Sequence, residues 1–107
     1  DAVLVTRDGR RIGRLDPVFK GARGITEAQV VQEDLDRFCI RVVPAHNYTD
    51  RDGRAVGANL AERIGGGDIR IEVVPAIART AAGKFQAVVS LLPQQSATAA
   101  SAGRYGG

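Results

Sequence analysis

Strand-like runs, several alternating apolar and polar residues with a period of two, recur along this chain, and one other stretch has a spacing near four. Ala2–Thr6 and Arg11–Leu15 are β-type runs on either side of Arg7-Asp8-Gly9-Arg10. An Asp-Gly between two such runs predicts a hairpin. Glu27–Gln32 and Arg37–Pro44 predict two further strands, joined by the polar corner Glu33-Asp34-Leu35-Asp36. In the second of them Phe38, Ile40 and Val42 take one face and Arg37, Cys39 and Arg41 the other. Asp68–Val74 predicts a half-buried strand with Ile69, Ile71 and Val73 inward and Arg70 and Glu72 outward. The last strand-like run starts at Phe85 and extends to about Leu91, with Phe85, Ala87, Val89 and Leu91 alternating with Gln86, Val88, Ser90 and Leu92.

The helical spacing belongs to Val56, Leu60 and Ile64, joined by Ala61. Thr49 and Asp52 stand at capping-box spacing before this stripe, and Gly65-Gly66-Gly67 stops it. Gly53 and Gly57 cost such a helix roughly 1 kcal/mol each relative to alanine, so it should depend on docking against the sheet. Asp16–Gly24 reads as a connection, loosened by Pro17, Gly21 and Gly24 and tucked onto the core by Phe19. Together these elements predict an α+β domain over residues 1–92: an N-terminal hairpin, a mainly antiparallel sheet of three or four strands, and at least one covering helix. Residues 93–107 are rich in small residues with nothing to bury, and a flexible tail is expected there.

Composition narrows the possible functions. At 107 residues there is room for one modest core, and the absence of Trp and Met leaves Val, Ile, Leu and Ala to build it. A net charge of +3 is too small and dispersed to point to nucleic acid. Arg10, Arg11, Arg14, Lys20 and Arg23 lack the interleaved aromatics that stack on bases. The single cysteine, Cys39, excludes an internal disulfide and a cysteine-based metal cluster. No metal site is expected: His46 has no ligand partners at metal spacing, and Glu33, Asp34 and Asp36 read as a solvated corner. No apolar run approaches a membrane span and no signal-peptide pattern opens the chain, so the expectation is a cytoplasmic protein with no membrane partner.

One stretch has the makings of chemistry. Pro75-Ala-Ile-Ala-Arg-Thr-Ala-Ala-Gly-Lys84 places a lysine behind Gly83 and a loop of small residues, directly before a strand. An ammonium so placed presents a compact charge with three donors to a phosphate or carboxylate, and the glycine lets backbone approach a ligand closely. Pro-x-x-x-Arg-Thr-x-x-Gly-Lys followed by a strand resembles the last core motif of the adenylate-forming enzymes. Asp1–Gly21 and Ile25–Gln32 resemble the C-terminal domain of the phenylacetate-CoA ligase family, especially its capsular polysaccharide biosynthesis branch. The resemblance runs from Asp1 to about Leu92. Ala78 stands where many members have a proline, and Arg10–Asp16 is longer than the corresponding loop of typical acyl-CoA ligases.

This resemblance implies a mobile C-terminal lid working against a large N-terminal adenylation domain of the same polypeptide. It implies Lys84 as the adenylation lysine with Gly83 beside the nucleotide, Asp1 at the hinge, and Gly9 and Arg10 on the segment that meets the thiol. ATP with Mg2+ and coenzyme A are the implied co-substrates of a carboxylic acid. The isolated domain is expected to be inactive and to bind none of them tightly, since a lid is one wall of a site. The alternative is a non-catalytic α+β module for ligand binding or dimerisation, in which Lys84 is incidental.

Overall fold

The computed structural model describes residues 2–93. The hinge position Asp1 and the tract from residue 94, where a flexible tail is expected, lie outside the described residues. Strands β1 (Leu4–Val5) and β2 (Arg11–Ile12) form the expected antiparallel hairpin. Helix α1 (Asp16–Phe19) is a single turn inside the stretch read as a connection, where Pro17 suits a helix start because it has no N–H to leave unpaired. Phe19 packs against the core as anticipated. Strands β3 (Ile25–Asp34) and β4 (Arg37–Pro44), helix α2 (Asp50–Ile64), and strands β5 (Asp68–Val73) and β6 (Val88–Ser90) complete the order.

The α+β class and a sheet of four hold, with the order β5-β4-β3-β6. The sheet is mixed rather than mainly antiparallel: β3 and β4 are antiparallel, whereas both edge strands run parallel to their neighbours. Parallel neighbours need a crossover, and α2 supplies the one between β4 and β5. β6 reaches the opposite edge only through the long connection from residue 74 to residue 87.

Alternation along β3 and β4 divides the sheet into two faces. Val30, Phe38, Ile40 and Val42 pack beneath Val56, Leu60 and Ile64 of α2, and Leu4, Ile12, Leu15 and Val18 extend the same core under the hairpin and α1. Asn59 ties the two helices together by donating to the Val18 carbonyl at 3.0 Å. Thr49 N–H donates to the Asp52 carboxylate at 2.9 Å at the start of α2, and Gly65 and Gly66 N–H both return to the Ala61 carbonyl at its end. On the opposite face Val31 and Cys39 are buried as a pair, and burial pushes the Cys39 thiol up from its ordinary pKa, which keeps it inert.

One inward assignment changes, and one strand is shorter than its sequence run. Val73 is 53% exposed, while Ile69 and Ile71 of the same strand pack against the core, next to Gly53 and Gly57 of α2. The final strand shortens to Val88–Ser90, and Val88 is its buried residue. Its pairing with β3 starts at Val30, whose N–H donates to the Ala87 carbonyl, so Phe85 precedes the ladder and stays outside the core.

A buried amide joins the hairpin to the sheet. Gln32 is fully buried on the helix-bearing face; its Oε1 accepts from Val5 N–H at 2.9 Å and its Nε2 donates to the Val5 carbonyl at 2.8 Å. The side chain thus acts as a short extra strand for β1. Gln32→Leu keeps the volume but orphans both backbone groups, and should destabilise by about 2–4 kcal/mol in denaturant unfolding.

The α2 glycines separate into two kinds. A methyl at Gly53 would meet the Tyr48 hydroxyl at 2.4 Å and Ile71 Cγ2 at 3.2 Å, whereas at Gly57 the nearest atom is Ile71 Cδ1 at an ordinary 3.5 Å. Gly53 is there because strand and Tyr48 come close; Gly57 is not so constrained. Gly57→Ala should therefore stabilise by up to about 1 kcal/mol through helix propensity, and Gly53→Ala should destabilise despite the same gain. Thermal melts of the two variants moving in the same direction would contradict this packing.

Candidate functional site

The lysine loop is built in three parts. Its entrance is anchored by Ile77, which is buried although it lies outside any strand. Arg79 then binds it to β3: Nη1 and Nη2 donate to the two carboxylate oxygens of Glu27 at 3.3 and 2.5 Å, and Nη1 also donates to the Ile77 carbonyl at 3.0 Å. The same guanidinium lies over the Phe85 ring, 4.7 Å from its centroid. One cation touches both ends of the loop.

Thr80 closes the tip. Its N–H donates to the Lys84 carbonyl at 2.9 Å, its Oγ1 accepts from Lys84 N–H at 3.0 Å, and its carbonyl accepts from Gly83 N–H at 2.8 Å. Gly83 sits at φ 81° in this turn, a conformation that costs residues with a Cβ about 1 kcal/mol or more. Lys84 follows at once, exposed, and among the described residues no carboxylate lies within ion-pair distance of it. After it, the Gln86 carbonyl accepts from Gln29 Nε2 at 2.9 Å. Gln29 is itself buried, and its Oε1 accepts from Arg41, which pairs with Glu72.

The remaining sequence-derived positions lie elsewhere. Gly9 and Arg10 are in the hairpin turn, where Arg10 N–H donates to Thr6 Oγ1 at 2.9 Å and the Arg10 guanidinium pairs with Asp8 at 3.2 Å. Arg7 ties that turn to Asp36, in the corner between β3 and β4. The lysine loop attaches at Glu27, near the other end of β3. Asp34, at the end of the strand, is seven steps along from Glu27, so the two attachments stand roughly 20 Å apart. Lys84 and Gly83 are brought together; Gly9 and Arg10 are not brought to them.

Glu33 pairs with Arg70 and Arg37, Asp34 accepts from Leu35 N–H, and Asp36 holds Arg7, so the three acids of the corner are engaged separately. His46 is exposed, and among the described residues no group of acids, cysteine and histidine suited to a metal is found. No helix is long and apolar enough to cross a membrane. An open groove of about 450 Å³ adjoins the lysine loop, with Leu15, Phe19, Ile25, Ala28, Phe85 and Val88 among its walls. Beside it, Ala2 lines a cleft with Phe85, Gln86 and Ala87, so the beginning of the described chain lies against the base of the loop.

With this arrangement in view, the comparison with known families is decisive: residues 4–91 match the model of the CapK C-terminal domain. The chain belongs to that family. It is the C-terminal domain of a CapK-type adenylate-forming ligase, which implies an ATP- and CoA-using enzyme and association with an adenylation domain. No curated protein and no solved structure matches the chain.

Sequence reasoning singled out Lys84 but missed what holds its loop. Glu27 and Gln29 read as ordinary strand positions, and no local pattern marks them, because their partners Arg79 and Gln86 are more than fifty residues away. The hydrogen bond from Arg79 holds the Glu27 carboxyl below the ordinary glutamate pKa, against the opposing effect of burial. With the folded-state pKa below the unfolded one, the pair's contribution is fully present above the ordinary glutamate value. It is lost as pH falls through the depressed native value. An NMR titration of the Glu27 carboxyl carbon in the 107-residue chain should give a midpoint below that of an unfolded glutamate. A midpoint at or above it would show that the anchor does not form in solution.

Proposed function

We propose that residues 1–92 act as the mobile lid of an ATP-dependent carboxylate-CoA ligase of the phenylacetate-CoA ligase type, with Lys84 as the adenylation lysine. The observation that carries this reading is the state of Lys84: exposed, free of any carboxylate within ion-pair distance among the described residues, and mounted on a closed, anchored turn. A lysine serving only solubility does not require such a mount.

In the first step a carboxylate oxygen of the acid attacks the α-phosphorus of Mg2+-bound ATP. The bond to pyrophosphate breaks and the acyl-adenylate forms. Negative charge rises on the α-phosphoryl oxygens, and the Lys84 ammonium neutralises it while orienting the incoming carboxylate; Gly83 keeps the backbone beside it slim. In the second step the thiolate of coenzyme A attacks the acyl carbon and AMP leaves. The domain turns about Asp1 between the steps, withdrawing Lys84 and offering the Gly9-Arg10 turn to the thiol. Separation of these two groups at opposite ends of β3 suits a body that shows one end in each half-reaction.

In the full-length ligase, Lys84→Ala should slow acyl-adenylate formation by about 100-fold or more while thioester formation from synthetic acyl-adenylate stays within about tenfold of wild type. Lys84→Arg should restore little, since a planar guanidinium cannot place a point charge in the same space. Pyrophosphate exchange and single-turnover thioester assays, with melting temperatures as control, measure this. Equal losses in both steps would remove Lys84 from the chemistry.

A further inference from the structure

Lys84 stands on a loop whose two flanks are gripped from outside the sequence motif. Upstream, Arg79 meets Glu27 through two parallel N–H···O contacts, and downstream, Gln29 holds the Gln86 carbonyl. Glu27 and Gln29 are two apart on β3, so both side chains emerge on the same face of the sheet, the one opposite α2. The two flanks are also joined directly, because the Arg79 guanidinium lies over Phe85, the residue next to Lys84. A chain of contacts therefore runs from Glu27 through Arg79 to Phe85, the residue that follows Lys84 in sequence.

Stability alone does not explain this arrangement. The Arg79 and Glu27 side chains retain 41% and 31% of their exposure, and ion pairs so open to water add little to folding. Phe85 is 40% exposed and rests on a cation instead of entering the core. What the contacts do accomplish is to fix the backbone flank from which a flexible charged side chain on a four-carbon stem extends. Catalytic charge is effective when its position is set before the reaction, and a displacement of about 1 Å can cost as much as a hundredfold in rate.

We propose that Glu27 is a positioning residue for adenylation: acting through Arg79 and Phe85, it sets where the Lys84 ammonium stands. This rests on the assignment of Lys84 to adenylation, so both are tested side by side in the full-length ligase. Glu27→Gln keeps the shape and removes the charge that orients Arg79. It should lower the rate constant of acyl-adenylate formation about tenfold, with the KM for ATP and the thioester half-reaction each within about twofold of wild type. Phe85→Leu, at a 40% exposed position, removes the ring on which Arg79 rests and should lower adenylation by a similar factor, again without slowing the thioester step. A purely structural role would slow both half-reactions together and lower the melting temperature.

Lys84→Ala run in parallel separates the two ideas. If it fails to affect adenylation selectively, the lysine assignment falls and the positioning role falls with it. If it does so while Glu27→Gln leaves adenylation unchanged or slows both steps alike, only the positioning role is overturned. Should Glu27→Gln melt early, Phe85→Leu decides: a folded variant with adenylation selectively slowed supports the proposal, and a folded one with adenylation unchanged or both steps slowed alike refutes it.

Discussion

Alternation from Glu27 to Gln32 of β3 is the constraint on which the attachment of both the hairpin and the lysine loop depends. Ala28, Val30 and Gln32 point toward the helices, and Glu27, Gln29 and Val31 point away. Gln32 thereby reaches the hairpin, and Glu27 and Gln29 reach the lysine loop. Moving the strand by one residue would reverse every one of these directions, so pairing of β3 with β4 in the observed register is a precondition for everything attached to it. The register is well specified, since Val30 and Ile40, both fully buried, face the same core as partners.

The polar contacts have unequal roles. Gln32 is a neutral amide whose partners are backbone groups in a half-buried hairpin, and such bonds are costly to leave unmade. Arg7–Asp36, Arg41–Glu72 and Arg70–Glu33 lie where water screens them, and each contributes at most about 1 kcal/mol. These exposed pairs direct loops more than they stabilise the fold. The distinction separates Gln32, which keeps β1 on the sheet, from Glu27, which steers a loop on an already formed sheet.

What could be read from the sequence follows the range of the interactions involved. The Asp8-Gly9 turn, the Thr49–Asp52 cap, the Val56-Leu60-Ile64 stripe and the Gly65 stop are local, and each is found where its pattern placed it. Period-two alternation located the strands but says nothing of direction, because a strand alternates identically in parallel and antiparallel ladders; hence the mixed sheet was not legible. Gly53 looked like a weakness until Tyr48 and Ile71 were seen against it. The lysine loop is marked by a local run of residues, whereas Glu27 and Gln29 hold it across distances in sequence that no short pattern spans.

The connection between the two edge strands has one further consequence, which concerns length. To pass from β5 to β6 the chain has three interstrand spacings to cross, roughly 14 Å. The fourteen residues from 74 to 87 could extend about 45 Å, some three times that span. Part of the surplus contour is taken up in the turn that Thr80 closes, between the Arg79 and Gln86 attachments to β3. The strands thus fix where the strap begins and ends, and the residues in excess of the crossing supply the turn that carries Lys84.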